Sequence, residues 1–150
     1  MKLEEELKQA KFKDEFQRAQ LNIIFTGIWL EVITNQTLKQ YDLSSQQFNV
    51  LRILRGSRPN PLNLLDIQER MMDRMSNATR LVEKLRQKGL LTRRQCPSNR
   101  RKVEIEITEK GLELLKKLDP VMEEQHLKLA KKITKQEADL INDLLDRLRD

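Results

Sequence analysis

Cations are concentrated in one short segment of this 150-residue chain. From Arg74 to Lys102 the sequence holds ten lysines and arginines and a single acid, Glu83, so this segment carries +9. Because the net charge of the whole chain is +6, the remainder carries −3. Concentrated positive charge of this kind is the electrostatic footprint expected for a polyanionic partner. A basic surface that is merely solvated is the alternative interpretation.

Small polar groups lie within that basic segment, in the run Ser76-Asn77-Ala78-Thr79-Arg80. Asn can pair with adenine, Arg with guanine, and Thr can contact a thymine methyl group. A purely electrostatic binder needs only cations, and sheet-type RNA-binding proteins need exposed aromatic residues, which this segment lacks. We therefore predict that the partner is double-stranded DNA. The predicted DNA contacts are Arg74, Ser76, Asn77, Thr79, Arg80, Lys84, Arg100, Arg101 and Lys102.

Residues suited to catalysis or metal binding are scarce. His126 is the only histidine, and its neighbours Glu123 and Glu124 lie in a charged helical stretch typical of solvated groups. The sequence contains neither a glycine-rich phosphate loop nor a serine in an elbow motif. We predict that the protein is not an enzyme and holds no metal or cofactor. Cys96 is the single cysteine, so no internal disulfide can form, which fits a reducing cytosol.

The elements that position the basic segment begin with a helical pattern over residues of about 3–40. Between Leu21 and Ile33 apolar residues occur on nearly every side, which predicts packing against both this domain and a second subunit. Ser44 and Gln47 have the spacing of a capping box for a second helix, which ends near Arg55. After a Gly/Pro-rich loop, a short helix is predicted from Leu62 to about Met71, with Leu64, Leu65 and Ile67 facing inward.

The predicted recognition helix extends from a cap at Asp73 to about Lys88 and ends at Gly89. One face is apolar and faces inward, and the other carries the polar and basic groups. The inward face comprises Met75, Ala78, Leu81, Val82 and Leu85.

A change to period two then predicts a β-hairpin, with strands at Leu90–Arg94 and Lys102–Ile107. Ile105 and Ile107 face the core, and Arg100 and Arg101 lie at the tip, where they could reach an adjacent minor groove.

The C-terminal part is predicted to be helical. Thr108 caps a long helix that reaches about Ile133 and is kinked or interrupted at Pro120. Thr134 and Glu137 have capping-box spacing for a final amphipathic helix. The predicted fold is mainly α with a small β-hairpin, a winged helix-turn-helix with N- and C-terminal dimerisation helices. We expect a single domain over 1–150, with a DNA-binding lobe at about 44–108 and dimerisation helices at about 3–40 and 109–150.

The segments TRLVEKLRQKGLLTRR, from Thr79, and CPSNRRKVEIEITEKG, from Cys96, resemble the recognition helix and wing of the MarR (multiple antibiotic resistance regulator) family. The matching wing positions are Pro97, Arg100, Arg101, Ile107, Thr108 and Gly111. The sequence departs from the family pattern at Cys96 and Asn99, where the family has Asp. The second Asp normally pairs with the wing arginine, here Arg101, and Asn99 can accept a hydrogen bond but carries no charge.

The resemblance implies a homodimeric winged-helix transcriptional regulator, usually a repressor of pseudo-palindromic DNA. It also implies a site for a small aromatic or anionic effector between the dimerisation helices and the DNA-binding lobe. Candidate lining residues are Phe25, Trp29, Tyr41, Phe48 and Arg52, although aromatic residues are more often plain core. Oxidation of Cys96 among its arginines is a second possible signal, and a tolerated surface substitution is the simpler interpretation.

The location expected from the sequence is the cytoplasm, without membrane attachment. The first 16 residues are charged and lack the apolar core of a signal peptide, and the stretch Leu21–Ile33 is too short to span a bilayer. A different function class stays open at this point, a protein-interaction module built on the long terminal helices, in which the basic face is incidental.

Overall fold

In a computed structural model, which describes residues 1–96 and 99–150, the chain forms helices around one antiparallel hairpin, and the side chains of 96–102 lie outside the described part. The elements in chain order are α1 Leu3–Glu6, α2 Glu15–Lys39, α3 Ser45–Ser57, α4 Leu64–Arg70, α5 Ala78–Gln87, β1 Leu91–Cys96, β2 Asn99–Ile107, α6 Glu109–Ala130 and α7 Lys135–Arg149. The predicted fold class, mainly α with a small hairpin, is confirmed.

Three helices, α3, α6 and α7, begin at the predicted capping residues. The side chain of Ser44 accepts a hydrogen bond from the backbone N–H of Gln47, and the side chain of Gln47 accepts one from the backbone N–H of Ser44. Thr134 forms the same reciprocal cap with Glu137. Each such cap satisfies backbone N–H groups that the first helical turn leaves without partners. The prediction of one helix over residues of about 3–40 is wrong. The structure has two separate helices there, α1 and α2, and α2 has its own cap at Asp14.

The hydrophobic core lies between α3, α4, α5, the base of the hairpin and the first half of α6. Ile105 of β2 is fully buried, as predicted, and Ile107 is half-buried. Leu62, predicted to begin a helix, instead pairs with Ile105 through two backbone hydrogen bonds of 2.8 and 3.1 Å. The helix starts only at Leu64, capped by Asn63, so Leu65 is 65% exposed where inward packing was predicted.

Close backbone approach at Gly111 fixes the base of the hairpin against α6. A Cβ added at Gly111 would lie 2.7 Å from Cγ1 of Ile107 and closer still to the carbonyl oxygen of Leu90. Thr108, the cap of α6, donates its hydroxyl to the Gly89 carbonyl at 2.8 Å and accepts the Gly111 N–H at 3.1 Å. The end of α5, the hairpin and the start of α6 are therefore joined by one network of contacts.

Helix α6 continues through Pro120, so of the two predicted effects of this proline, a kink or an interruption, the interruption is wrong. Its connection to α3 is an ion pair in which Arg55 donates two hydrogen bonds, of 2.8 and 3.0 Å, to the carboxylate of Asp119. The pair ties α3 to α6 one residue before the proline.

Candidate nucleic-acid interface

Helix α5 presents one buried face and one charged face. Ala78, Val82 and Leu85 are buried against the core, while Thr79 and Arg80 are exposed. Lys84 and Arg86 extend the exposed side toward the C-terminus of the helix. This amphipathic arrangement is the predicted one except at Met75, which was predicted to face inward and is 94% exposed. The helix is also shorter than predicted, because it begins at Ala78.

A turn over residues 72–76 precedes α5 where the sequence predicted its first helical turn. The carboxylate of Asp73 accepts hydrogen bonds from the Met75 N–H at 3.0 Å and the Ser76 hydroxyl at 2.6 Å. These bonds lower the pKa of Asp73 below its ordinary value of 3.8, the Ser76 bond contributing most. Asp73 therefore caps this turn and not the helix.

Two further side chains fix the same turn from the helices behind it. The side-chain amide of Gln68 in α4 donates to the carbonyl oxygens of Arg74 and of Ser76, the latter at 2.9 Å. The side-chain oxygen of Asn49 in α3 accepts the Met72 N–H at 3.0 Å. The turn that leads into α5 is thus held by hydrogen bonds from α3, from α4 and from Asp73 within the turn itself.

The structure uses Ser76 and Asn77, both predicted DNA contacts, within the fold. Ser76 donates its hydroxyl to Asp73, and the side-chain oxygen of Asn77 accepts the Arg80 N–H at 2.9 Å as the N-cap of α5. Because an amide oxygen has two lone pairs, pairing with adenine would require the capping oxygen of Asn77 to accept a second hydrogen bond while its NH₂ group donates.

The remaining predicted cations of this helix and turn are exposed. Arg74, Arg80 and Lys84 form no ion pair within the part of the chain that the structure describes. Arg86 differs, since it donates two hydrogen bonds to Glu83, at 2.8 and 3.0 Å, and lowers the pKa of that carboxyl. The charge of Arg86 is therefore partly compensated inside the protein, while the other three are available to an anion.

The hairpin extends from the end of α5. In its register Leu91 lies opposite Ile107 and Arg93 opposite Ile105. The side chain of Arg94 forms a diagonal ion pair with Glu106 of the other strand. The predicted wing contacts Arg100, Arg101 and Lys102 belong to the first residues of β2, and their side chains lie outside the described residues, as does that of Cys96. Their roles stay predictions.

A cavity of about 540 Å³ lies between α2, α3, the turn before α5 and α6. Of the predicted ligand residues, Phe48 and Arg52 line it, with the Arg52 guanidinium 5.8 Å from the centre of the Phe48 ring. Phe25 and Trp29 instead line a separate cavity of about 150 Å³ beside α1, and Tyr41 packs against the core. The residues that the sequence did not suggest include Asn49, Met71, Met72, Asp73 and Met122.

Apolar side chains are exposed along two helices. Helix α7 has no buried residue, and the middle of α2, predicted to pack against both this domain and a second subunit, exposes apolar groups in the single chain. The exposed residues are Ile23, Ile24, Ile28 and Val32 in α2 and Leu140, Ile141, Leu144 and Leu148 in α7. Two such stripes exceed the scattered apolar groups that are normal on a protein surface.

Two kinds of feature are absent from the part of the chain that the structure describes, a membrane-spanning helix and a cluster of metal ligands. None of its helices combines the length and apolar character that crossing a membrane requires. Its His, Cys, Asp and Glu side chains form no group of three or more that could hold a metal ion.

Comparison with known proteins identifies relatives that match up to 93% of the chain. A sequence model described as the MarR family matches residues 43–103. The transcriptional regulator MhqR of Bacillus subtilis (strain 168) is 28% identical over 114 residues, which cover 76% of this chain and 77% of that protein. The crystal structure of a MarR transcription factor from Planctomyces limnophilus is 32% identical, covers 93% of this chain and 98% of that chain, and superposes with a TM-score of 0.69.

A complex with DNA shares the fold. The S. aureus MepR–DNA complex superposes with a TM-score of 0.79 over 87% of this chain and 94% of that chain, at 19% identity. At this identity the likeness concerns the fold alone.

Proposed function

The chain belongs to the MarR family of transcriptional regulators, and we propose that it is a homodimeric repressor that binds pseudo-palindromic DNA sequence-specifically and is released by a small-molecule ligand. In this proposal residues 1–150 form one domain. The lobe of about 44–108 binds DNA, and the helices of about 3–40 and 109–150 form the dimer.

The observation that carries the proposal is the exposed side of α5. A helix with one buried face presents Thr79, Arg80 and Lys84 to solvent, and the turn before it fixes the backbone of Arg74. A rigid helix with a polar start and basic continuation suits the major groove, because cations hold phosphates while Arg and Thr can read base edges. The local charge of +9 adds attraction to any DNA.

Each predicted contact has a role in this interface. Arg80 and Thr79 read bases, and Arg74 and Lys84 hold phosphates. Ser76 and Asn77 shape the end of the helix, and the free NH₂ of Asn77 can donate to a phosphate. Arg100, Arg101 and Lys102 act from the wing, as the sequence suggests.

Dimerisation is supported by the apolar stripes on α2 and α7. In a monomer they would face water, at a cost of about 25 cal/mol for each Å² of apolar surface. A second copy of the chain, with its own two stripes, could cover them through a two-fold interface. Two recognition helices would then reach half-sites about one DNA turn apart.

The cavity of about 540 Å³ supports the effector part of the proposal. Phe48 and three methionines offer an apolar surface, and Arg52 offers a positive charge at its edge. This combination fits a small aromatic molecule, with or without an acidic group. Because Met72 and Asp73 belong both to the cavity wall and to the turn before α5, an occupant would act directly on the DNA-binding helix.

A protein-interaction module is the alternative, favoured only by the exposed apolar stripes. Selection of bound duplexes from a randomised DNA library separates the two functions. We expect the repressor to enrich an inverted repeat with half-sites about 10 base pairs apart. Failure to enrich any sequence, with retention governed by salt alone, would contradict sequence-specific binding and favour the interaction module.

A further inference from the structure

Met75 is exposed to a degree that is unusual for a large apolar side chain. Its exposed fraction is 94%, although helical periodicity predicted it to face the core. The reason is the turn of residues 72–76, which breaks that periodicity. Its backbone N–H is bound to Asp73, and the carbonyls of the residues on either side of it, Arg74 and Ser76, are bound to Gln68. The fold therefore holds Met75 outward, and its exposure does not come from a loose chain end.

The position of Met75 is next to the groups that are proposed to touch DNA. It stands two residues before the cap of α5, directly after the exposed Arg74. The N-terminal end of a recognition helix is the part that meets base edges. Met72, which is equally exposed at the other end of the turn, lines the large cavity, and Met75 does not.

The side chains that follow Met75, those of Ser76 and Asn77, are polar, so neither offers an apolar contact to a base. Ser76 donates its hydroxyl to Asp73 and the side-chain oxygen of Asn77 accepts the Arg80 N–H, so both polar groups are already engaged within the fold. The C5-methyl of thymine is the apolar group that the major groove displays, and proteins read it with apolar side chains. Methionine is unbranched and polarisable and adapts to such irregular surfaces.

We propose that Met75 is a specificity-determining residue that contacts a thymine methyl group in each half-site of the bound DNA. This proposal rests on the proposed function, and it names Met75 as the residue that makes the contact and thymine as the base that is contacted. The Asp73 turn and the Gln68 amide position the side chain, and the DNA covers the apolar surface that the protein alone leaves in water.

The test uses duplexes selected by the wild-type protein, in which each thymine is replaced in turn by deoxyuridine. This replacement removes only the methyl group. We expect the wild type to lose affinity about fourfold per half-site at one symmetric pair of positions, the equivalent of one apolar carbon group. Met75→Ala should lose a similar factor on the thymine duplex and show no further loss with deoxyuridine at that pair. Leu65→Ala is the matched control, because Leu65 is also an exposed apolar side chain but lies outside the cavity and the proposed DNA contacts, and it should keep the full sensitivity to deoxyuridine.

The outcomes separate this proposal from the proposed function. In one outcome the wild type distinguishes the selected from the scrambled duplex, but Met75→Ala is as sensitive to every deoxyuridine as the wild type. The proposed role of Met75 is then overturned, while sequence-specific DNA binding by the protein is supported. If the wild type binds selected and scrambled duplexes equally, both proposals fail. Because Met75 makes few side-chain contacts in the protein, the alanine variant should unfold at the same urea concentration as the wild type, which excludes a folding defect as the cause.

Discussion

The side-chain oxygen of Asn77 accepts the backbone N–H of Arg80 at 2.9 Å, so the cap of α5 and the main candidate for base recognition are bonded to each other. The cap sets where the helix begins and hence where Arg80 emerges from it. In the proposed interface, Asn77, which the sequence suggested as a reader of adenine, positions Arg80 as the reader of a base.

Replacing Asn77 separates capping from base reading. Asn77→Ser retains a capping oxygen and should keep stability within a few tenths of a kcal/mol, whereas Asn77→Ala should lose about 1 kcal/mol. Urea denaturation measures both values. In anisotropy titrations Asn77→Ser should bind operator and scrambled duplexes more weakly by the same factor, because only a phosphate contact is lost. Selective loss of operator affinity in this stable variant would show instead that Asn77 reads a base.

Changes at Arg80 test direct readout. Arg80→Lys keeps the charge but loses the planar fork that pairs with guanine, so it should lose about 1–3 kcal/mol of discrimination between operator and scramble. Its dependence on salt should stay that of the wild type, while Arg80→Ala should also lower the salt slope. The control is Arg86→Ala, which removes a cation already bonded to Glu83 and should affect both duplexes slightly and equally. Full discrimination by Arg80→Lys would rule out the bidentate contact.

Substitution by alanine at two glycines, Gly111 and Gly56, should change the free energy of unfolding in opposite directions. At Gly111 the added methyl would collide with Leu90 and Ile107, so we expect a loss of about 1–3 kcal/mol in the free energy of unfolding. Gly56, inside α3, has no neighbouring atom within 4 Å of the new methyl, and Gly56→Ala should gain about 0.5–1 kcal/mol through helix propensity. Denaturant titration of both variants measures the difference, and a stable Gly111→Ala would contradict the packing at the base of the hairpin.

Assembly through α7 can be tested by one charge. Leu144→Glu places a carboxylate in the exposed apolar stripe and should convert dimers to monomers in sedimentation velocity. Asn142→Glu adds the same charge to the same helix at a polar position and should leave the dimer intact. Deletion of residues 134–150 should also give monomers. A dimeric Leu144→Glu protein would show that α7 lies outside the subunit interface.

Local signals in the sequence predicted much of the fold. Caps at Ser44, Thr108 and Thr134 and the glycine at the end of α5 act within a few residues of themselves, so their effects could be read directly. Alternation in β2 correctly placed Ile105 inside because a strand has period two wherever one face is buried.

Features that depend on distant residues were missed. Asp73 can cap either a helix or a turn, and the turn wins because Gln68, from another helix, bonds the carbonyls that a helix would use. The pairing of Leu62 with Ile105 joins residues 43 positions apart and leaves no local pattern. The cavity is likewise formed by four elements, so aromatic composition alone could not show that Phe48 and Trp29 lie in different places.

The central claim is specific DNA recognition, and the most direct test is fluorescence anisotropy on DNA from immediately upstream of the protein's own gene. A scrambled duplex of the same composition is titrated beside it across a range of salt concentrations. The account predicts tight binding to the upstream duplex and weak, steeply salt-dependent binding to the scramble, with at least about a thousandfold difference in affinity at physiological salt. Equal affinities for both duplexes, falling together as salt rises, would contradict it.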